Sequence, residues 1–287
     1  MNERDFIAAL RSLPLHPGAQ DLRDDAAVID FGGEALVVTH DAIAEGVHYR
    51  AGTDPFDIAW KLVAVNLSDL AAKGAKPIGV LIGAALIDRA ERFVEGLRAI
   101  LTDYGVPLLG GDTIKLNGPA SFGCTAIGRA TAQPVPRRSG ARPGDALYVT
   151  GKIGAAMLGF RAGDGAAYLR PRPRLAEGRA LAPVVHAMMD VSDGLLLDAA
   201  RMAEASRCTA VLETAAIPFA PELAPEDRSD ALRWGDDYEL LFALRDGAEL
   251  PVPATRIGAM HPPGEAPLLL DGEVPTGNLG YEHGSLR

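Results

Sequence analysis

Residues 190–198 read DVSDGLLLD. Asp190 and Asp193 flank a serine position, Ser192, and Gly194 follows, just where a buried segment turns into a leucine-rich helix. One Asp or Ser is enough to accept from the free N–H groups of a helix start, and this stretch supplies three. The same excess recurs in DLRDDAAVID, VVTHDAIAEGVH, VNLSDLAAKG, LLGGDTIK and WGDDYELL. Most of these acids fall where a strand or helix ends, and loops on a rigid frame are where sites are usually built. If Asp25, Asp41, Asp69, Asp112, Asp190 and Asp193 converge, each close pair repels by roughly 4 kcal/mol at an effective dielectric of about 20. Protons or cations must then neutralise them. Oxygen-only ligands select a hard ion, Mg2+ or Ca2+. The sequence lacks the calcium-loop pattern and the Cys/His spacing of zinc sites. Mg2+ keeps several waters and bridges a few carboxylates to substrate phosphates, so the residues point to a Mg2+–phosphate site. A single acid at a turn, Asp24 for instance, is more often a cap or a solvated residue.

Glycines accompany the acids. Gly110 and Gly111 precede Asp112, and Gly151 and Gly154 frame TGKIG. Such residues let backbone N–H groups approach phosphate, although 32 glycines make some pairs inevitable. No GxxxxGK[ST] loop, GxGxxG fingerprint or GxSxG elbow occurs, which excludes the common P-loop and argues against a dinucleotide fold and a nucleophilic triad. Arg137, Arg138 and Lys152 are the few basic residues that could touch phosphate, and a charged surface face is the alternative reading of Lys152. His48, seven residues after Asp41, is a candidate substrate contact.

The elements that must carry these residues alternate between strand and helix. Residues 26–30 and 35–41 read as strands joined by FGGE. A helix follows, with Asp54 as its cap, Pro55 in its first turn and Gly74 as its stop. Residues 77–87 read as a buried strand. Asp88 and Glu91 form a capping-box pattern for the helix RFVEGLRAILTDY, ended by Gly105. VPLLGGDT and SFGCTAIGRA are strands. The Pro- and Gly-rich segment 131–144 is the best domain boundary, giving domains 1–135 and 136–287. Beyond it, DALYVTG, YELLFAL and ATRIGAM read as strands, KIGAAMLGFRA and LLLDAARMAEAS as helices, and RLAEGRALAPVVHAMMD as largely helical. The fold class is mixed α/β in two domains.

Composition fits a soluble protein. The chain has 287 residues, 48% of them hydrophobic, and a formal net charge of -10. That charge makes nucleic acid a poor partner. Two cysteines read as buried thiols in a reducing compartment, and the longest apolar run, 77–87, is too short to span a bilayer. The expected location is cytoplasmic, with no membrane partner.

THDAIAEGVH, AVNLSDLAAKGAKP, LLGGDT, RRSGARPGDALYVTG, DVSDGLLLD and GDDYEL occur in the order found in the thiamine-monophosphate kinase family. This resemblance covers nearly the whole chain. Its VNLSDLAAKGA and GGDT elements also resemble the wider aminoimidazole ribonucleotide synthetase-like superfamily. The resemblance implies two α/β domains, with the N-terminal sheet pairing across a homodimer. It also implies transfer of the ATP γ-phosphoryl to thiamine monophosphate, with several Mg2+ ions between carboxylates and phosphates. Carried over by position, Asp25, Thr39, His40, Asp41, Asp69, Asp112, Asp190 and Asp193 would hold metal. Gly111, Arg138 and Ser192 would contact ATP, and His48, Asp236 and Tyr281 would contact thiamine monophosphate.

The sequence departs from the family pattern at several points. His40 stands for threonine, Asp236 for glutamate, Lys73 for methionine and Arg23 for glycine, and the tail reads GYEHG. The acceptor is already an ionised phosphate oxygen, so no general base is expected among the protein's residues. Two alternatives accompany this reading. One is another ATP-dependent enzyme of the superfamily, although no early cysteine suggests a selenophosphate synthetase. The other is a nucleotide- or metal-binding protein without turnover.

Overall fold

The structure is a computed structural model that describes residues 3–163 and 165–282. Two sheets divide the strands. The first has order β1-β2-β5-β3-β4, from β1 (Ala27–Phe31), β2 (Glu34–Ala44), β3 (Ala75–Ala85), β4 (Leu108–Ile114) and β5 (Ser121–Ala130). The second has order β11-β8-β10-β6-β9-β7, from β6 (Asp145–Val149), β7 (Ala187–Asp190), β8 (Thr209–Leu212), β9 (Leu240–Arg245), β10 (Thr255–His261) and β11 (Leu268–Leu270). The helices are α1 (Glu3–Leu10), α2 (Pro55–Ala72), α3 (Ala90–Tyr104), α4 (Ala155–Ala162), α5 (Ala166–Leu169), α6 (Leu175–Leu181), α7 (Leu195–Ser206) and α8 (Arg228–Ala231).

Helix α2 is the spine of the molecule. Asp54 caps it, accepting from Phe56 N at 3.1 Å, and Gly74 leaves it at φ +58°. Every residue of α2 except Phe56 and Trp60 is buried. A helix that is apolar nearly all round must be covered on every side. Val80, Phe122 and Ala126 of the first sheet and Tyr148, Met188 and Phe242 of the second share one core with Leu62, Leu67 and Leu70 of α2. The helix therefore lies between the two sheets, and a polar residue on it can reach either one.

Two local expectations are corrected. The helix read over RLAEGRALAPVVHAMMD stops at Leu181, and Ala187–Asp190 is a strand paired with β9. Pro183 lacks the N–H that a continuing helix needs, and AMMD is buried at all four positions as an interior strand requires. The capping box of α3 does not form. Arg89, at φ +59°, is its N-cap and makes no side-chain cap bond, since a guanidinium has no acceptor to offer the first N–H groups.

Candidate functional site

The polar residues of α2 form a stripe. Asn66, Asp69 and Lys73 are spaced i, i+3, i+7 and share one face of the helix. Each meets a different point on the strand side. Asn66 Oδ1 accepts from Asp41 N at 2.9 Å. Asp69 Oδ2 accepts from Thr39 Oγ1 at 2.5 Å. Lys73 Nζ donates to Asp24 Oδ1 and, at 2.6 Å, to Asp25 Oδ2. A second face of α2 turns to the other sheet, where Ser68 Oγ donates to Asp190 Oδ2 at 2.5 Å. One helix thus gathers acids from β2, from the loop before β1 and from the end of β7.

The charge of this cluster falls into two halves. Burial pushes the Asp25 carboxyl up, but Lys73 and Arg138 outweigh it and hold Asp25 below the usual carboxylate range. Arg138 Nη2 lies 2.5 Å from Asp25 Oδ1, so both oxygens of Asp25 accept from basic groups. The other half has neutral donors only. Asp69 is raised well above the usual range by burial and by Asp41, Asp190 and Asp25, against the Thr39 hydrogen bond. Asp190 is pushed up to about 8 by burial and by Asp25, against the Ser68 hydrogen bond. Desolvation also raises Asp41, with Asp193 and Asp25 adding and His40 opposing. These carboxylates repel one another and hold no buried base, which is the condition that a divalent cation relieves. Among the described residues, no three acid, histidine or cysteine side chains gather closely enough to hold an ion by themselves.

A cavity of about 530 Å3 opens beside the cluster. Asp41, Ser192 and Asp193 line it together with His48, Asp236 and Tyr281. Phe160, Tyr168, Trp234 and Tyr238 supply aromatic wall. The loop at 235–238 is tightly held. Asp236 N donates to Ser192 O at 2.9 Å, and Asp236 and Tyr238 adopt φ of +70° and +48°. Gly235 admits this approach, since a Cβ there would lie 2.3 Å from Ser192 O. Buried Lys61 of α2 reaches the same loop. Its ammonium lies 3.1 Å from Asp236 Oδ1, donates to His48 O at 3.0 Å and sits 3.7 Å from the Tyr168 ring centre. The Tyr281 backbone N–H donates to Asp193 O at 2.8 Å, tying the tail to the acidic turn.

The structure therefore brings Asp25, Thr39, Asp41, Asp69, Asp190, Asp193, Arg138 and Ser192 to one region, and His48, Asp236 and Tyr281 to the adjoining cavity. It does not bring three expected residues there within the chain. The His40 ring points to the opposite face of β2 from Thr39, where Nδ1 lies 2.9 Å from Thr125 Oγ1. Gly111 and Asp112 lie on the exposed edge strand β4, separated from β2 by β5 and β3. Three strand spacings amount to about 14 Å. Gly111 is fixed by contact, because a Cβ would lie 1.9 Å from Ile82 O.

Several supporting residues escaped the sequence reading. Asp198, wholly buried and pushed up to about 7 by burial and by Asp193, accepts from Ser192 N and Asp193 N at 3.0 Å each and so shapes the DVSDG turn. Asp237 accepts from Gly154 N and Ala156 N at 2.8 and 3.1 Å, holding the start of α4. Asn66, Ser68 and Lys61 carried one signal, polar residues at positions where the apolar pattern of α2 required burial. Arg201, which binds Asp193 and lies 3.1 Å from Asp198 Oδ1, carried none.

Known proteins share this fold. The N-terminal-domain model of AIR synthase related proteins matches residues 23–130, and the C-terminal-domain model matches 142–254. Thiamine-monophosphate kinase of Escherichia coli strain K12 is 36% identical, over 91% of this chain and 90% of that protein. The solved structure of thiamine-monophosphate kinase from Stenotrophomonas maltophilia K279a is 35% identical, with a TM-score of 0.77 over 94% of this chain and 95% of that one. A solved structure described as AaThiL complexed with AMPPCP and TMP is 25% identical, with a TM-score of 0.85 over 98% of this chain and 97% of that one.

Proposed function

Because the chain belongs to the AIR synthase related family, on its thiamine-monophosphate kinase branch, we propose that it transfers the γ-phosphoryl of ATP directly to the phosphate of thiamine monophosphate. The observation that carries this reading is the shared cavity. Asp41, Ser192 and Asp193, assigned to metal and nucleotide, line the same space as His48, Asp236 and Tyr281, assigned to the acceptor. Two bound phosphates would then meet at the acidic wall.

Asp41, Asp69, Asp190 and Asp193 are the residues that would hold Mg2+, with Thr39 orienting Asp69. Bound there, Mg2+ would offset the charge of two approaching polyanions. The protein's own part is positioning. Arg138 brings a cation to the phosphate side, and its buried Nε has no partner among the described residues. A phosphate oxygen would satisfy that donor. Lys61 holds Asp236 and the His48 carbonyl in fixed relation, so the acceptor pocket keeps its shape. The aromatic wall suits the flat rings of the acceptor and excludes water around the reacting phosphates.

The place of Asp112 follows from a homodimer. The outer edge of β4, and the edge of β2 residues 39–44 that faces away from β5, have no strand partner among the described residues. Leu108, Leu109 and Ile114 of β4 are exposed. An open apolar edge of this kind is a template for another chain. Pairing of β4 with the 39–44 segment of a second copy would close the sheets into one barrel. It would also seat Gly111 and Asp112 beside Thr39 and Asp41 of that copy. Cytoplasmic residence fits the two buried free cysteines, and among the described residues no helix is long and apolar enough to cross a membrane.

The test is product formation. Purified protein supplied with ATP, Mg2+ and thiamine monophosphate should yield thiamine diphosphate and ADP in equal amounts. ATP consumption with a different phosphate acceptor would point to another enzyme of the superfamily. Nucleotide binding with no turnover on any acceptor would leave a binding protein.

A further inference from the structure

We propose that the Lys73 ammonium is a built-in cation of the acidic cluster, neutralising Asp24 and Asp25 in place of a divalent ion. This rests on the reading of the cluster as a cation site and concerns how its charge is divided. Lys73 has no exposed side-chain surface, and the side chains of Asp24 and Asp25 are 5% and 3% exposed. Its Nζ reaches both carboxylates, and Arg138 takes the remaining oxygen of Asp25. Two acids thus face two bases, and the local charge is balanced within the chain. Mg2+ at this spot would need oxygen ligands and several waters, whereas all three side chains are buried and the Lys73 ammonium occupies the place between the carboxylates. Lys73 is also the C-cap of α2, where the helix dipole favours a positive charge. The ammonium is therefore held from two sides by features of the fold. Asp41, Asp69 and Asp190 face no comparable base, and divalent ions would be confined to that half.

The consequence is a smaller complement of ions than an uncharged residue at position 73 would allow. The experiment counts Mn2+ bound to the full chain, with a non-hydrolysable ATP analogue present, by equilibrium dialysis. Lys73→Met should bind one more Mn2+ per chain than the native protein, and Lys73→Arg, which keeps the charge, should match the native count. The variant's thermal midpoint should also fall in EDTA and recover with Mn2+. Equal counts for Lys73→Met and native protein would overturn the proposal while leaving the cation site intact. If neither protein binds Mn2+ beyond what the nucleotide carries, the cation site itself is refuted. Should Lys73→Met not fold even with Mn2+, Asp25→Asn decides the matter. An unchanged count upholds the proposal, because Asp25 holds no ion, and the loss of one ion overturns it.

Discussion

Ser68 Oγ on the central helix donates to Asp190 Oδ2 at the end of β7, 2.5 Å away and 122 residues distant in the chain. This bond joins the helix that carries the first sheet's acids to the second sheet's acidic turn. Ser68→Ala would leave a buried carboxyl oxygen unpaired, at a cost of about 1–3 kcal/mol. Urea unfolding should show a lower midpoint with an unchanged slope. An unaltered midpoint would mean that the bond contributes nothing to holding the two halves together.

Asp69 makes the opposite case. It lies at the centre of the unneutralised acids and is raised well above the usual carboxylate range by burial and by Asp41, Asp190 and Asp25. Asp69→Asn removes one charge from a repelling set and keeps an oxygen for Thr39. The variant should fold at least as stably as the native protein near pH 8 without divalent ions. Phosphoryl transfer should fall by about 100-fold or more, since several kcal/mol of cation stabilisation would be lost. Circular dichroism and the product assay separate the two effects, and an active, well-folded Asn variant would contradict the role given to Asp69.

The raised acids set a pH dependence. Asp190 moves from 3.8 to about 8 on folding. Between those values the folded state binds more protons than the unfolded state, so stability without divalent ions should fall as pH rises through the window. Asp25 has the other sign. Its carboxyl is held below the usual range, so its contribution is complete above the unfolded value and lost only on acidification. On the proposed reading, a divalent cation would compete with the protons on Asp69 and Asp190. Added Mg2+ should therefore raise the melting temperature little near pH 5 and progressively more toward pH 8. A Mg2+ effect that is constant across this range would show that these carboxyls are not where the ion acts.

What the sequence disclosed follows from how local each signal is. Helix α2 was legible because Asp54, Pro55 and Gly74 mark its ends by their own backbone chemistry. The acidic turns were legible because three capping residues in five, as in DVSDG, exceed what a cap requires. β7 was misread because AMMD carries no period, and only pairing with β9 decides between strand and helix there. Asp198 and Asp237 were hidden for a similar reason. Their carboxylates serve backbone N–H groups whose need arises only after distant segments meet. Lys73 was visible as a departure from the family pattern, yet its partners at 24 and 25 could not be read from spacing.

The proposed trans position of Asp112 can be tested by mixing variants. Within one chain, Asp112 is on β4 and Asp41 on β2, with β5 and β3 between them. If each site combines Asp41 of one protomer with Asp112 of its partner, Asp41→Asn and Asp112→Asn homodimers should both be inactive. A mixed dimer carries both lesions in one site and neither in the other. Equal amounts of the two variants, unfolded and refolded together, should thus recover about a quarter of native activity, as half the dimers are mixed and each of these has one intact site. If both residues serve the same protomer's site, every site in the mixture carries a lesion and activity stays at the level of the separate variants. A charge on the apolar edge, as in Ile114→Lys, should abolish the recovery by preventing pairing, and size-exclusion chromatography of that variant should show the monomer.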